Sequence, residues 1–179
     1  MTFKEISTEK LFDGKLLKVW LERVELPNGR KVGLEVIHHP GSVVILPVDD
    51  EGKVWFTYQY RHAIRQLLLE LPAGTMESGE NPAECAGREI QEEIGLAAKS
   101  IEFIGKMYLV PGYSDELMYV FLATGLYPSK LEQDYGEYIE VKTLSIEEAY
   151  RLLDAGEIVD SKTAAVLGMA RSRFEIGGS

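Results

Sequence analysis

Ser42–Val48 is a short, continuous apolar run, Ser-Val-Val-Ile-Leu-Pro-Val, closed by the turn signal Asp49-Asp50-Glu51-Gly52. A run of that length without polar alternation suits a strand buried on both faces. The segments before it are β-rich by alternation. Lys15–Leu26 and Lys31–His38 flank Pro27-Asn28-Gly29-Arg30, whose Asn-Gly pair is a strong hairpin signal. After it, Lys53–Arg61 alternates, with Val54, Phe56, Tyr58 and Tyr60 on one face and Trp55, Thr57, Gln59 and Arg61 on the other. That second face is either a wet sheet surface or the lining of a pocket. Further strands are expected at Ser100–Val110, Leu117–Thr124 and Tyr138–Leu144. Helices are expected from Ser145, which with Glu148 makes a capping box, to Gly156, and from Lys162 to Phe174. Strands and helices neither alternate strictly nor segregate, so the pattern supports a mixed sheet with helices packed on it.

At 179 residues the chain fits one domain of ordinary size. Its net charge of −10 argues against a nucleic-acid backbone or an anionic membrane as partner. No apolar stretch approaches the roughly 20 residues that span a bilayer, and the N-terminus lacks an apolar signal core. The single cysteine, Cys85, excludes an intrachain disulfide and a cysteine-rich zinc site, and reads as a small buried hydrophobe. Together these features point to a cytoplasmic protein.

A helix is signalled over Pro82–Ile94. Asn81 serves as N-cap, Pro82 suits the first helical position, Glu84 stands where a capping box wants an acid, and Gly95 supplies the stop. Ala83, Ala86, Ile90 and Ile94 form one core-facing stripe. The same helix carries Arg88, Glu89, Glu92 and Glu93. Glu89 and Glu93 share a face at i,i+4, as do Arg88 and Glu92, and like charges at that spacing repel. Either the face is simply solvated or a hard divalent cation offsets the repulsion, since Mg²⁺ prefers oxygen ligands.

Beyond the helix, Gly74, Glu80, Arg88, Glu89, Ile90, Glu92, Glu93, Gly95 and Leu96 fill every fixed position of a known pattern. It runs Gly, five residues, Glu, seven residues, then Arg-Glu-apolar-any-Glu-Glu-any-Gly-apolar. The chain resembles the Nudix hydrolases, which cleave a nucleoside diphosphate linked to another group. The resemblance implies an α+β Nudix fold: a mixed β-sheet sandwiched between helices, with an N-terminal antiparallel β extension. It implies Mg²⁺, with Mn²⁺ as a substitute, bound by Glu89, Glu93, Glu137 and the backbone carbonyl of Ala73. Glu92 would ligate directly or through water, Arg88 would orient the glutamates, and Glu80 would support the loop.

Three further segments resemble the branch that cleaves ADP-ribose and nucleoside diphosphate sugars. Gln59-Tyr60-Arg61 matches its substrate-binding strand. Pro111 opens a loop whose Tyr113, Ser114, Asp115 and Glu116 would meet substrate. Gly136–Val141 matches a late acidic segment that brings another carboxylate to the metals. Where some relatives carry an acid that acts as catalytic base, two residues before the metal-binding glutamate, this chain has Tyr135, so the order of candidates for base is Glu137, Asp134, Glu140. The implied organisation is a dimerisation segment over residues 1–40 and a hydrolase domain over 41–179, working as a homodimer on a small nucleotide. The implied reaction is hydrolysis of ADP-ribose to AMP and ribose 5-phosphate. The alternatives are another nucleotide sugar such as GDP-mannose, FAD or NADH, and, outside enzymes, a nucleotide-sensing module. Such modules usually lose the glutamates that are all present here.

Overall fold

A computed structural model describes residues 2–14, 17–133 and 138–174. The chain forms two compact units, Met1–Gly41 with Tyr108–Leu117, and Ser42–Met107 with Met118–Ser179. The first contains an antiparallel sheet of β1 (Lys4–Asp13), β2 (Lys18–Glu25) and β3 (Lys31–Ile37), in that order. The Asn28-Gly29 turn joins β2 to β3 as expected, with the Leu26 and Gly29 amides donating across it. β1 was not foreseen as a separate strand. Every one of its residues is exposed, and its register on β2 slips at Glu5/Ser7 and again at Lys10/Phe12. The loop after residue 108 is tied to β3: Ile37 donates to the Tyr113 carbonyl at 2.8 Å and accepts from Asp115 at 3.2 Å.

The second unit is built on a mixed sheet. Its elements are β4 (Ser42–Val48), β5 (Lys53–Arg61), β6 (Gln66–Glu70), β7 (Ala73–Thr75), α1 (Pro82–Glu93), β8 (Leu96–Tyr108), β9 (Leu117–Pro128), β10 (Ile139–Ser145), α2 (Ile146–Asp154) and α3 (Ser161–Ala170), closed by a 3₁₀ turn at Arg171–Phe174. The strand order is β10-β5-β4-β9-β8, with β6 on β5 and β7 on β4. β4 runs parallel to β9 and antiparallel to β5 and β7. All seven residues of β4 are buried, as its composition requires. Val43 and Ile45 meet Cys85, Ala86, Ile90, Ile94, Phe121 and Ala123. Val44 and Leu46 alternate to the opposite face, and α3 also packs on β4. Burying both faces of one strand against helices is what commits its apolar side chains to the centre of the sheet.

The two N-caps read from the sequence hold: Asn81 accepts from the Ala83 amide at 2.9 Å and Ser145 from Glu148 at 3.2 Å. The last helix, expected over Lys162–Phe174, is α-helical only to Ala170; it starts after Asp160, a cap not foreseen from the sequence, which accepts from Thr163 at 2.9 Å. α1 ends at Glu93 with Ile94 as its C-cap, and Gly95 follows with φ +71°, where a side chain would be strained. One expectation for α1 fails, since Ala83 of the expected stripe is exposed, while Cys85 is buried in the core as its reading as a small hydrophobe implied. Among the described residues no helix is long and apolar enough to cross a membrane.

Candidate active site

α1 presents its acids at the edge of its own core stripe. Glu89 and Glu93 are 8% and 5% exposed, so both carboxylates lie in the rim of the protein and not on a wet face. Their company is built by the neighbouring strand β7. Glu93 accepts from the Ala73 amide at 3.1 Å. A Cβ at Gly74 would fall on the Glu89 carboxyl group, so any larger residue here would push that carboxylate out of its place.

Arg88 organises the remainder. Its Nη1 donates to Glu89 at 2.7 Å and to Glu92 at 2.8 Å, while Nε and Nη2 grip Glu80 at 3.0 and 3.1 Å. The hydrogen bond from Arg88 holds Glu80 far down, at about 2, and Glu80 in turn keeps the guanidinium firmly protonated. Burial pushes the Cys85 thiol up to about 12, so it is an inert core group. Three carboxylates, Glu80, Glu89 and Glu92, thus surround one guanidinium, with Glu93 beside them on the Ala73 amide. An excess of negative oxygen donors held below solvent suits a hard divalent cation, and the chemistry of this donor set fits one. Among the described residues no three acidic, imidazole or thiol groups already gather at metal-holding spacing.

Arg61 and Gln59 lie on β5, on a face whose inner part is covered: Thr57 and Gln59 are buried, while the Arg61 side chain stays 41% exposed. Arg61 makes a two-pronged ion pair with Glu70 of β6, at 2.8 and 2.7 Å. Glu70 is 1% exposed and also accepts from Lys162 at the start of α3, which holds Asp160 at 3.0 Å as well. Sequence reasoning missed Glu70 and Lys162. The only signal was an acid ending the apolar run Leu67–Leu69, just before Leu71-Pro72. Burial works to raise the Glu70 carboxyl, but Arg61 and Lys162 outweigh it and hold it below its ordinary value.

Asp115, in the other unit, accepts from the His39 amide at 2.8 Å and lies 2.6 Å from His38. Ser114 is buried and accepts from the Glu116 amide at 3.2 Å, while Tyr113 is exposed. Asp134, Tyr135 and Glu137 lie outside the described residues. Glu140 is exposed on β10 and accepts from the Tyr138 hydroxyl at 2.6 Å. A cavity of about 240 Å³ is lined by Glu92, Glu93, Gly95, Lys130 and Gln133, with Ile139 and Val141 from β10.

Residues 38–166 match the family model described as NUDIX domain. An ADP-ribose pyrophosphatase from Bacillus subtilis (strain 168) is 41% identical over 163 residues, covering 90% of this chain and 88% of that one. An ADP-ribose pyrophosphatase from Mycobacterium tuberculosis (strain ATCC 25618 / H37Rv) is 38% identical over 162 residues, covering 89% and 78%. A crystal structure of an ADP compounds hydrolase matches with a TM-score of 0.89 over 98% of this chain and 95% of that one. At 23% identity it is a likeness of fold. Hydrolases of this family generally use divalent metal ions. With the family model spanning most of the chain, and the filled pattern from Gly74 to Leu96 standing on β7 and α1 as one packed assembly, the chain belongs to the Nudix family.

Proposed function

We propose that this protein is a Mg²⁺-dependent pyrophosphatase that hydrolyses ADP-ribose to AMP and ribose 5-phosphate. The observation that carries the reading is the buried carboxylate pair, Glu89 and Glu93, set against β7 and oriented by Arg88 and the Ala73 amide. The 41% and 38% identities to ADP-ribose pyrophosphatases support the choice of substrate. Glu89, Glu93, Glu137 and the Ala73 carbonyl would hold Mg²⁺, or Mn²⁺ in its place. Bound there, the cation would supply Lewis acidity and positive charge against a diphosphate that a chain of net charge −10 otherwise repels.

The chain's own groups divide the remaining work. Arg88 keeps Glu89 and Glu92 turned to one side by direct hydrogen bonds, so the site is ordered before substrate arrives. Arg61, fixed by Glu70, offers a guanidinium whose direction is set in advance. Glu137 is the carboxylate assigned to take the proton of the attacking water, ahead of Asp134 and Glu140. Gln59, Tyr113, Ser114, Asp115 and Glu116 are assigned to substrate. The compartment proposed is the cytoplasm, in keeping with one buried, unreactive thiol.

A hydrolysis panel with Mg²⁺ tests the substrate. ADP-ribose, GDP-mannose, UDP-glucose, FAD, NADH and a nucleoside triphosphate are compared, with products identified by mass. ADP-ribose should show the highest kcat/KM and release AMP. Pyrophosphate release from the triphosphate as the best reaction would reject the assignment.

We further assign the working unit as a homodimer joined through residues 1–40. β1 is exposed along its whole length, and Phe3, Ile6, Leu11, Phe12 and Leu34 leave large apolar side chains uncovered. A three-stranded sheet with that much bare apolar surface gains by covering it with a second copy. Light scattering at assay concentration should give twice 20.1 kDa. A fully active species at the monomer mass would end the assignment.

A further inference from the structure

His38 sits at the end of β3 with both ring nitrogens aimed at carboxylates from different elements. Nδ1 is 2.6 Å from Asp115 in the loop after β8, and Nε2 is 2.9 Å from Glu22 on β2. A neutral imidazole has one N–H and can satisfy one such acceptor; two ionised carboxylates at these distances call for the doubly protonated ring. We propose that His38, carrying a proton on each nitrogen, is a positioning residue that fastens the Val110–Glu116 loop to β2 and thereby sets how that loop meets substrate. The proposal rests on the assignment of Tyr113–Glu116 to substrate made above.

Charged and aromatic groups from several elements face the ring. Glu22 comes from β2 and Asp115 from the loop. Trp20 of β2 meets the ring edge-on at 6.1 Å between centroids, and Lys10 of β1 lies 5.0 Å over the Trp20 ring. Next along the chain, His39 is 4.0 Å from Glu116, and its Nδ1 accepts from the Gly41 amide. The carboxylates are nearest: the hydrogen bond to Asp115 raises His38 above its ordinary 6.5, burial opposes it, and the bond to Glu22 with the charges of both carboxylates keeps the net direction upward. The sign follows. A raised folded-state value means the link is complete below about 6.5 and is lost as pH rises through the folded value. On losing its proton His38 keeps the shorter bond to Asp115 and releases Glu22. The Ile37–Tyr113 and Asp115–Ile37 backbone bonds keep the loop attached in either state, so the change is one of alignment, not of detachment.

The test pairs proton NMR with steady-state kinetics on the full chain. The His38 ring proton should titrate with a midpoint above 6.5, and the Tyr113–Glu116 amides should follow the same midpoint. Glu22→Gln should lower that midpoint. For ADP-ribose, KM of the unaltered protein should rise about three-fold as pH passes the midpoint, the scale of one exposed charge-assisted hydrogen bond. His38→Gln should show the raised KM throughout, flat across the window, with kcat unchanged. A midpoint at or below 6.5, loop amides that ignore it, or superimposable KM profiles for the two proteins overturns the proposal. If ADP-ribose is not hydrolysed at all, the substrate assignment fails, and with it the loop's role toward ADP-ribose; the NMR midpoint then still reads whether His38 fastens the loop.

Discussion

Glu93→Gln should lower kcat for ADP-ribose by about 10²-fold or more at saturating Mg²⁺ while leaving the melting temperature close to that of the unaltered protein. A loss of that size corresponds to ~2.7 kcal/mol of transition-state stabilisation. The fold should survive because glutamine keeps an oxygen that can accept from the Ala73 amide, now 3.1 Å from Glu93. What it loses is the negative charge. Glu93 is almost wholly buried and its charge already bears on the Arg61 guanidinium, so the carboxylate stands where positive charge is met. Stopped assays that separate AMP, together with circular dichroism to check the fold, decide the matter. Turnover near the unaltered rate would remove Glu93 from the metal-holding set.

Glu70→Leu should cause the largest loss of stability of any single change considered. The carboxylate joins Arg61 from β5 to Lys162 from α3, and the leucine leaves both cations facing an apolar group. Lys162 is only 7% exposed, and Asp160 remains as its partner, which softens the loss. Removing one member of a buried pair costs about 3 kcal/mol under those conditions. For a chain of this size that lowers Tm by roughly 6–12 °C. The sign of the pH dependence is fixed by the depressed Glu70 carboxyl. Its contribution is present above the unfolded value of about 4.5 and fades as pH falls through the lower folded value, so the two proteins should converge in acid. Thermal unfolding across pH reads both effects; a shift of under about 2 °C at neutral pH would show that the network contributes little to stability.

The features legible in the sequence are those decided locally. Asn81, Pro82 and Gly95 bound α1 because a cap needs only its own helix turn, and Ser145 starts α2 for the same reason. The run at Ser42–Val48 declared a doubly covered strand through composition alone. What stayed hidden depends on partners far along the chain. β6 and β7 are strands by virtue of pairing with β5 and β4, and each is too short to show a period. The alternation of β5 placed Gln59 and Arg61 on one face but carried no information on whether that face was covered. Glu70 reads as a surface acid until Lys162 is brought to it. Gly74 matched a pattern, yet the reason for glycine there, the carboxylate of Glu89 lying where a side chain would start, exists only once β7 and α1 are packed.

The parallel pairing of β4 with β9 has a consequence for synthesis. In register, Ser42 lies beside Met118 and Val48 beside Thr124, so the central strand meets this neighbour only after β5, β6, β7, α1 and β8 have left the ribosome. Until then one edge of the most apolar segment in the chain is open, and the core under α1 lacks Phe121 and Ala123. Non-local pairing of this kind slows folding and prolongs exposure of sticky edges. The helix that carries Glu89 and Glu93 is therefore translated well before the floor it rests on is complete. A ribosome stalled short of β9 would hold a nascent chain with every glutamate of the pattern already made and no finished core to set them, a state in which chaperone capture is expected and activity is not.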